Sequence, residues 1–111
     1  MTYRFAFAVV LIALGVGCSD AAAPNDQPEV AVRDNSFSPS TEAIAVGETV
    51  TWTWSGSQQH NVSWDAGSPT ASATQSSGTY QRAFAQAGKY DYHCTIHGTP
   101  GAGMHGAVTV Q

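Results

Sequence analysis

Hydrophobic residues recur at every second position over most of this chain. Val30 and Val32 alternate with Glu29 and Arg33, and Ile44 and Val46 follow before a Gly47-Glu48 turn. Val50, Trp52 and Trp54 alternate with Thr51 and Thr53. His60, Val62 and Trp64 are set against Asn61 and Ser63. Tyr80 and Phe84 mark a weaker strand. Tyr90, Tyr92 and Cys94 alternate with Lys89, Asp91 and His93, and Val108 and Val110 mark a last strand from Gly106 to Val110. Successive side chains of a strand point to opposite faces, so each run buries one face, the pattern of half-buried antiparallel strands. No segment keeps a helical period over three turns. Asp65 to Gly78 is a long polar stretch for which the pattern predicts only loop. Gly, Ser and Thr fill the other gaps. Seven to eight short strands in roughly eighty residues predict an all-β fold, a Greek-key two-sheet sandwich. Its core is expected to hold the three tryptophans and several tyrosines.

The N-terminal segment lacks this alternation. Arg4 is followed by an apolar run of 13 residues, Phe5 to Gly17. A membrane-spanning helix needs ~20 such residues, whereas a secretory signal needs fewer. Leu14-Gly15-Val16-Gly17-Cys18 resembles the bacterial lipoprotein signal, in which the cysteine is lipidated and becomes the new N-terminus. The reading is therefore a signal over residues 1–17 with Cys18 lipidated, a flexible Ala, Pro, Asn and Asp-rich tether over 18–28, and one domain over 29–111. Ordinary cleavage within Ala21-Ala22-Ala23 is the alternative. Either way the domain is expected outside the cytoplasm, on the periplasmic face of a bacterial membrane or in the periplasm. Ser19, after the cysteine, favours outer-membrane sorting by the same resemblance.

Composition narrows the partners. The chain has four Lys and Arg against eight Asp and Glu, and removal of Arg4 with the signal leaves 3 − 8 = −5. Nucleic acid needs clustered basic residues and is excluded as a partner. Of the two cysteines, Cys18 is assigned to the lipid, which leaves Cys94 without a pairing partner. A lone thiol in an oxidising compartment needs protection, and ligation to a metal supplies it.

The segment Tyr92-His93-Cys94-Thr95-Ile96-His97-Gly98-Thr99-Pro100-Gly101-Ala102-Gly103-Met104-His105-Gly106 carries the chemistry. Cys94 ends a strand facing inward, Thr95 to Gly103 is expected to be loop, and Met104 leads into the last strand. Thiolate and thioether sulfur are soft and suit copper, and imidazole suits copper as well as zinc, iron and nickel. Two His, one Cys and a weak axial Met form the ligand set of electron-transfer copper. Cys94 and His97 supply two ligands. His60 is the one histidine outside this segment, and Met104 the one methionine left after the signal is removed. His93 alternates away from Cys94, and His105 away from Met104, so both are expected at the surface.

These residues resemble the cupredoxin family, its plastocyanin-like branch especially. The resemblance also takes in Phe37-Ser38-Pro39, Ile44, Val46, Gly47, Val50, Trp52, His60-Asn61-Val62, Gly101-Ala102-Gly103-Met104 and Val108-Thr109-Val110. It implies one copper ion, cycling between Cu(I) and Cu(II), held by His60, Cys94, His97 and Met104. It implies that Asn61 supports the cysteine segment. Six residues separate His97 from Met104, where plastocyanins usually have four, a departure that falls on the approach to the axial position. The implied function is one-electron transfer by a monomer with a redox protein as partner, and not catalysis. Two other readings stand beside it. One is a periplasmic copper-binding or copper-delivery protein. The other is part of a copper enzyme in which His93-Cys94 links two coppers.

Overall fold

A computed structural model describes residues 27–111, so the signal, Cys18 and most of the tether lie outside the described residues. Eight strands follow in chain order: β1 (Glu29–Arg33), β2 (Ser36–Ser38), β3 (Thr41–Ile44), β4 (Thr49–Trp54), β5 (Ser63–Trp64), β6 (Thr79–Ala83), β7 (Gly88–Thr99) and β8 (Ala102–Val110). They form two four-stranded sheets, ordered β2-β1-β4-β6 and β3-β8-β7-β5. The all-β sandwich expected from the alternation is present.

The inward faces match the pattern closely. Val30, Val32, Val50, Trp52, Val62, Tyr92 and Val108 are all buried between the sheets. The aromatic rings meet edge to face, the arrangement their quadrupoles favour. Trp52 packs this way on Trp64 at 5.6 Å and on Tyr92 at 5.4 Å, and Phe37 packs on Tyr92 at 4.7 Å. At the rim of this core the Arg82 guanidinium stacks over Trp64, Phe84 and Tyr90 at 4.4 to 4.8 Å.

Three expectations need correction. Val46 does not join an inward face; it is 49% exposed. The chain leaves β3 at Ile44 and turns, with Ala45 N–H donating to Glu48 Oε1 and Glu48 N–H to the Ala45 carbonyl. The sheets are mixed, because β1 pairs with β4 and β3 with β8 in parallel. Asp65 to Gly78 holds no strand, as the pattern predicts, but it is tied down at points along its length. Its return leg bonds beside the His60 segment, through His60 and Gln75 in both directions and through Ser72 to Val62.

The last correction bears on the site. Thr95 to Gly103 is not a loop, because β7 runs on to Thr99 and pairs with β8 as far as Ala102. The pairing is interrupted once. His93 faces His105 and Gly98 faces Gly103, so Cys94 to His97 on β7 oppose Met104 alone on β8. That is a bulge of four residues against one, a device that re-aims side chains.

Candidate metal centre

The bulge explains why residues three apart on a strand converge. Cys94 keeps the inward direction set by Tyr90 and Tyr92 and is fully buried. The extra residues then swing His97 back beside it. Met104, the residue opposite the bulge, is buried in the same core cluster as Cys94. Two glycines let the strands close beyond it. A Cβ on Gly98 would lie 2.6 Å from the Met104 backbone nitrogen and oxygen, and Gly103, at φ +68°, would meet the His97 carbonyl at 2.7 Å. The lengthened His97–Met104 spacing is therefore absorbed by a hairpin tip, turned at Pro100-Gly101, and Met104 stays opposite Cys94.

His60 arrives from the segment before β5. Its backbone is tied to Gln75, and its carbonyl accepts a hydrogen bond from Trp54 Nε1 at 3.1 Å. Its ring is fully buried. Nδ1 of His60 lies 3.1 Å from Nδ1 of His97, and Cys94 Sγ lies 3.9 and 3.7 Å from those two nitrogens. Among the described residues these three form the one group of three or more His, Cys, Asp or Glu side chains close enough to share an ion.

The fit to a metal can be tested from this triangle. The point in its plane equidistant from the three atoms lies about 2.1 Å from each, within the ~2.0–2.3 Å of metal–imidazole and metal–thiolate bonds. Two imidazole nitrogens and a thiolate suit copper in the trigonal geometry used for electron transfer. The donor set fits one copper ion.

Neighbouring side chains brace the triangle. Asn61 Oδ1 accepts from the Thr95 N–H at 2.9 Å, and its Nδ2 donates to Thr95 Oγ1 at 2.9 Å and Thr74 Oγ1 at 3.3 Å. Thr95 follows Cys94, so Asn61 clasps the segment that bears the thiol. Asp34, from the β1–β2 turn, was not singled out by the sequence. Its Oδ1 lies 2.9 Å from Nε2 of His60. That bond, with others from Gln58 and Ser57, holds the Asp34 carboxyl well below the ordinary carboxylate range. No local pattern links positions 34 and 60; the one hint was an acidic residue in a turn between two strands.

The other two histidines stand apart. His93 points away from the triangle and pairs through Nδ1 with Asp65 Oδ1 at 2.6 Å. It is mostly covered, with 13% of its side chain exposed, and so is less of a surface residue than alternation alone suggests. His105 is exposed, and its ring Nδ1 approaches the Gly103 carbonyl at 3.0 Å.

Residues 27–111 match the family described as copper binding proteins of the plastocyanin/azurin family. The chain is 35% identical over 86 residues to plastocyanin of Scenedesmus fuscus, covering 68% of this chain and 86% of that protein. It is 37% identical over 73 residues to amicyanin of Paracoccus denitrificans, covering 61% of this chain and 53% of that one. An amicyanin structure superposes with a TM-score of 0.64 at 28% identity, over 84% of this chain and 88% of the other. A purple cupredoxin from Nitrosopumilus maritimus gives 0.64 at 27% identity, over 77% of this chain and all of that one. The chain therefore belongs to the plastocyanin/azurin family of copper-binding proteins, a blue-copper electron-transfer cupredoxin whose His60, Cys94 and His97 are arranged for one copper ion.

Proposed function

We propose that this domain is a one-electron carrier working outside the cytoplasm, in which His60 Nδ1, Cys94 Sγ and His97 Nδ1 would hold copper and the Met104 thioether would be its weak fourth donor. The observation that carries the reading is the triangle of donor atoms, whose centre lies at bonding distance from all three. Bound copper supplies the one-electron change. The rest of the chemistry belongs to the protein. Packing and the Asn61 clasp hold the donors where they stand, so little has to rearrange between the two oxidation states. Burial of His60, Cys94 and Met104 keeps water from the metal position. His97 is partly exposed, and its ring edge is the shortest covalent route from a docked partner to the centre.

A copper-delivery role fits less well, because delivery needs a labile and open site while Cys94 and His60 are fully buried. An enzyme that used His93 to link a second copper would need further histidine ligands, and the chain has four histidines in all, two of them already in the triangle. The relatives bearing the names plastocyanin and amicyanin support the carrier reading; that reading takes a redox protein as partner and the domain acting as a monomer. Lipidation at Cys18 would tether the domain to a periplasmic membrane face. Mass spectrometry of the native N-terminus tests that part.

Copper titration followed by visible spectroscopy tests the central claim. We expect one copper per chain and an intense thiolate-to-copper band, the band lost in Cys94→Ser while the β fold survives. A colourless copper-loaded protein, or a marked preference for zinc, would sink the assignment.

A further inference from the structure

His60 has two ring nitrogens, and each has its own partner. Nδ1 faces Cys94 and His97; Nε2 faces Asp34 Oδ1 at 2.9 Å. Asp34 reaches this position from the turn after β1, where Asn35 adopts φ +69°. It is one-third exposed, whereas the His60 ring is sealed. The carboxylate is held in a defined pose. Oδ1 also accepts from the Ser57 N–H at 3.1 Å and the Gln58 N–H at 2.9 Å, and Oδ2 accepts from Ser57 Oγ at 3.1 Å. Gly56 passes so close to the carboxylate that no Cβ could be placed there. The contact is thus built from two segments, the β1–β2 turn and the β4–β5 connection, and is not a chance surface pair.

We propose that Asp34 is a positioning residue for the copper centre. It fixes His60 as the Nε2–H tautomer, which leaves the Nδ1 lone pair for copper. Its negative charge makes the imidazole a better donor and favours Cu(II) over Cu(I), lowering the reduction potential. A histidine ligand whose other nitrogen donates to a carboxylate has its tautomer and orientation fixed and its basicity raised. The inference rests on the copper reading above.

Asp34→Asn separates charge from geometry. The amide oxygen can take the Oδ1 position and keep all three N–H donors, and the amide nitrogen then faces Ser57 Oγ, which can accept; only the second, longer contact of the Ser57 N–H, at 3.2 Å to Oδ2, is given up. The measurement is the reduction potential of the copper-loaded full chain. Loss of such an outer partner typically costs ~10–100-fold in metal affinity. We expect Asp34→Asn to keep the visible band and weaken Cu(II) binding about tenfold with Cu(I) binding little changed, which raises the potential by ~59 mV for a one-electron couple. Asp34→Ala should show at least that rise. In its copper-free form it should also lose the slowly exchanging His60 Nε2–H proton signal that wild type and Asp34→Asn retain.

A residue that merely caps the Ser57–Gln58 turn would not move the potential when the turn is preserved. An Asn variant with wild-type potential, or a lower one, overturns the proposal while the wild-type band leaves the copper reading standing. A wild type with no thiolate–copper band overturns both. Wild-type Nε2–H exchange no slower than in Asp34→Ala overturns the positioning role.

Discussion

Replacing Asn61 with Ala removes the clasp between the His60 segment and the Cys94 segment. Three hydrogen bonds disappear, two at 2.9 Å to Thr95 and one at 3.3 Å to Thr74. A typical intramolecular hydrogen bond contributes a net ~1 ± 0.5 kcal/mol. The two short bonds count in full and the long one by about half, for roughly 2.5 kcal/mol. Thr95 lies at the surface, so water can reach its freed N–H and the penalty for an unpaired buried donor is only partly incurred. The net cost should be about 2 kcal/mol. For a domain of this size each kcal/mol lowers Tm by ~4–8 °C, so the drop should be about 8–16 °C. Thermal unfolding followed by circular dichroism is the assay. It should be run first on copper-free protein, because a ligand that binds only the folded state adds its own stabilisation. The copper-loaded variant should also show a shifted or broadened visible band, since the Cys94 segment is no longer tied down. Asn61→Asp keeps an acceptor for the Thr95 N–H and should fall between wild type and Ala. A copper-free Tm within about 3 °C of wild type, well under one hydrogen bond by the same scale, would refute the assignment of Asn61 as the brace.

Two further outcomes follow from the same geometry. Met104→Leu nearly conserves volume in a buried position, so it should cost under ~1.5 kcal/mol and keep the copper; loss of the weak thioether donor should raise the potential measured by voltammetry, while His105→Ala should change neither potential nor spectrum. Burial raises the Glu42 carboxyl above its ordinary value, with the Glu48 charge adding to the effect, so at neutral pH its ionised form is costlier in the folded than in the unfolded state. Glu42→Gln should therefore raise Tm at pH 7, and the gain should vanish as pH falls below the ordinary carboxylate range, where Glu42 is protonated in both states.

Much of this protein is legible without its structure, for a local reason. A strand that buries one face must alternate, so Val30 and Val32, Val50 to Trp54, and Tyr92 with Cys94 declare their direction through immediate neighbours. The ligand types are legible too, because a cysteine between histidines, followed by a methionine, is a donor set that suits copper. His60 was found by its alternation with Val62 and Trp64, and the structure brings its ring to the thiol. Val46 misled for the converse reason. It kept the alternation by one residue after Ile44 had ended the strand, and the turn that exposes it is set by Glu48 reaching back to Ala45.

What the sequence could not determine are the pairings between segments distant along the chain. Alternation has the same appearance in parallel and antiparallel strands, so the β1–β4 and β3–β8 pairings were invisible. The bulge at Cys94 to His97 was equally hidden. It exists because Gly98 finds Gly103 as partner, and that match lies across the hairpin and not along either strand. The Asp34–His60 contact spans 26 residues and depends on two connections meeting at one end of the sandwich. The chemical identities of the donors are written in the chain. Their convergence to within bonding distance of one point is a property of long-range packing, and tertiary structure alone decides it.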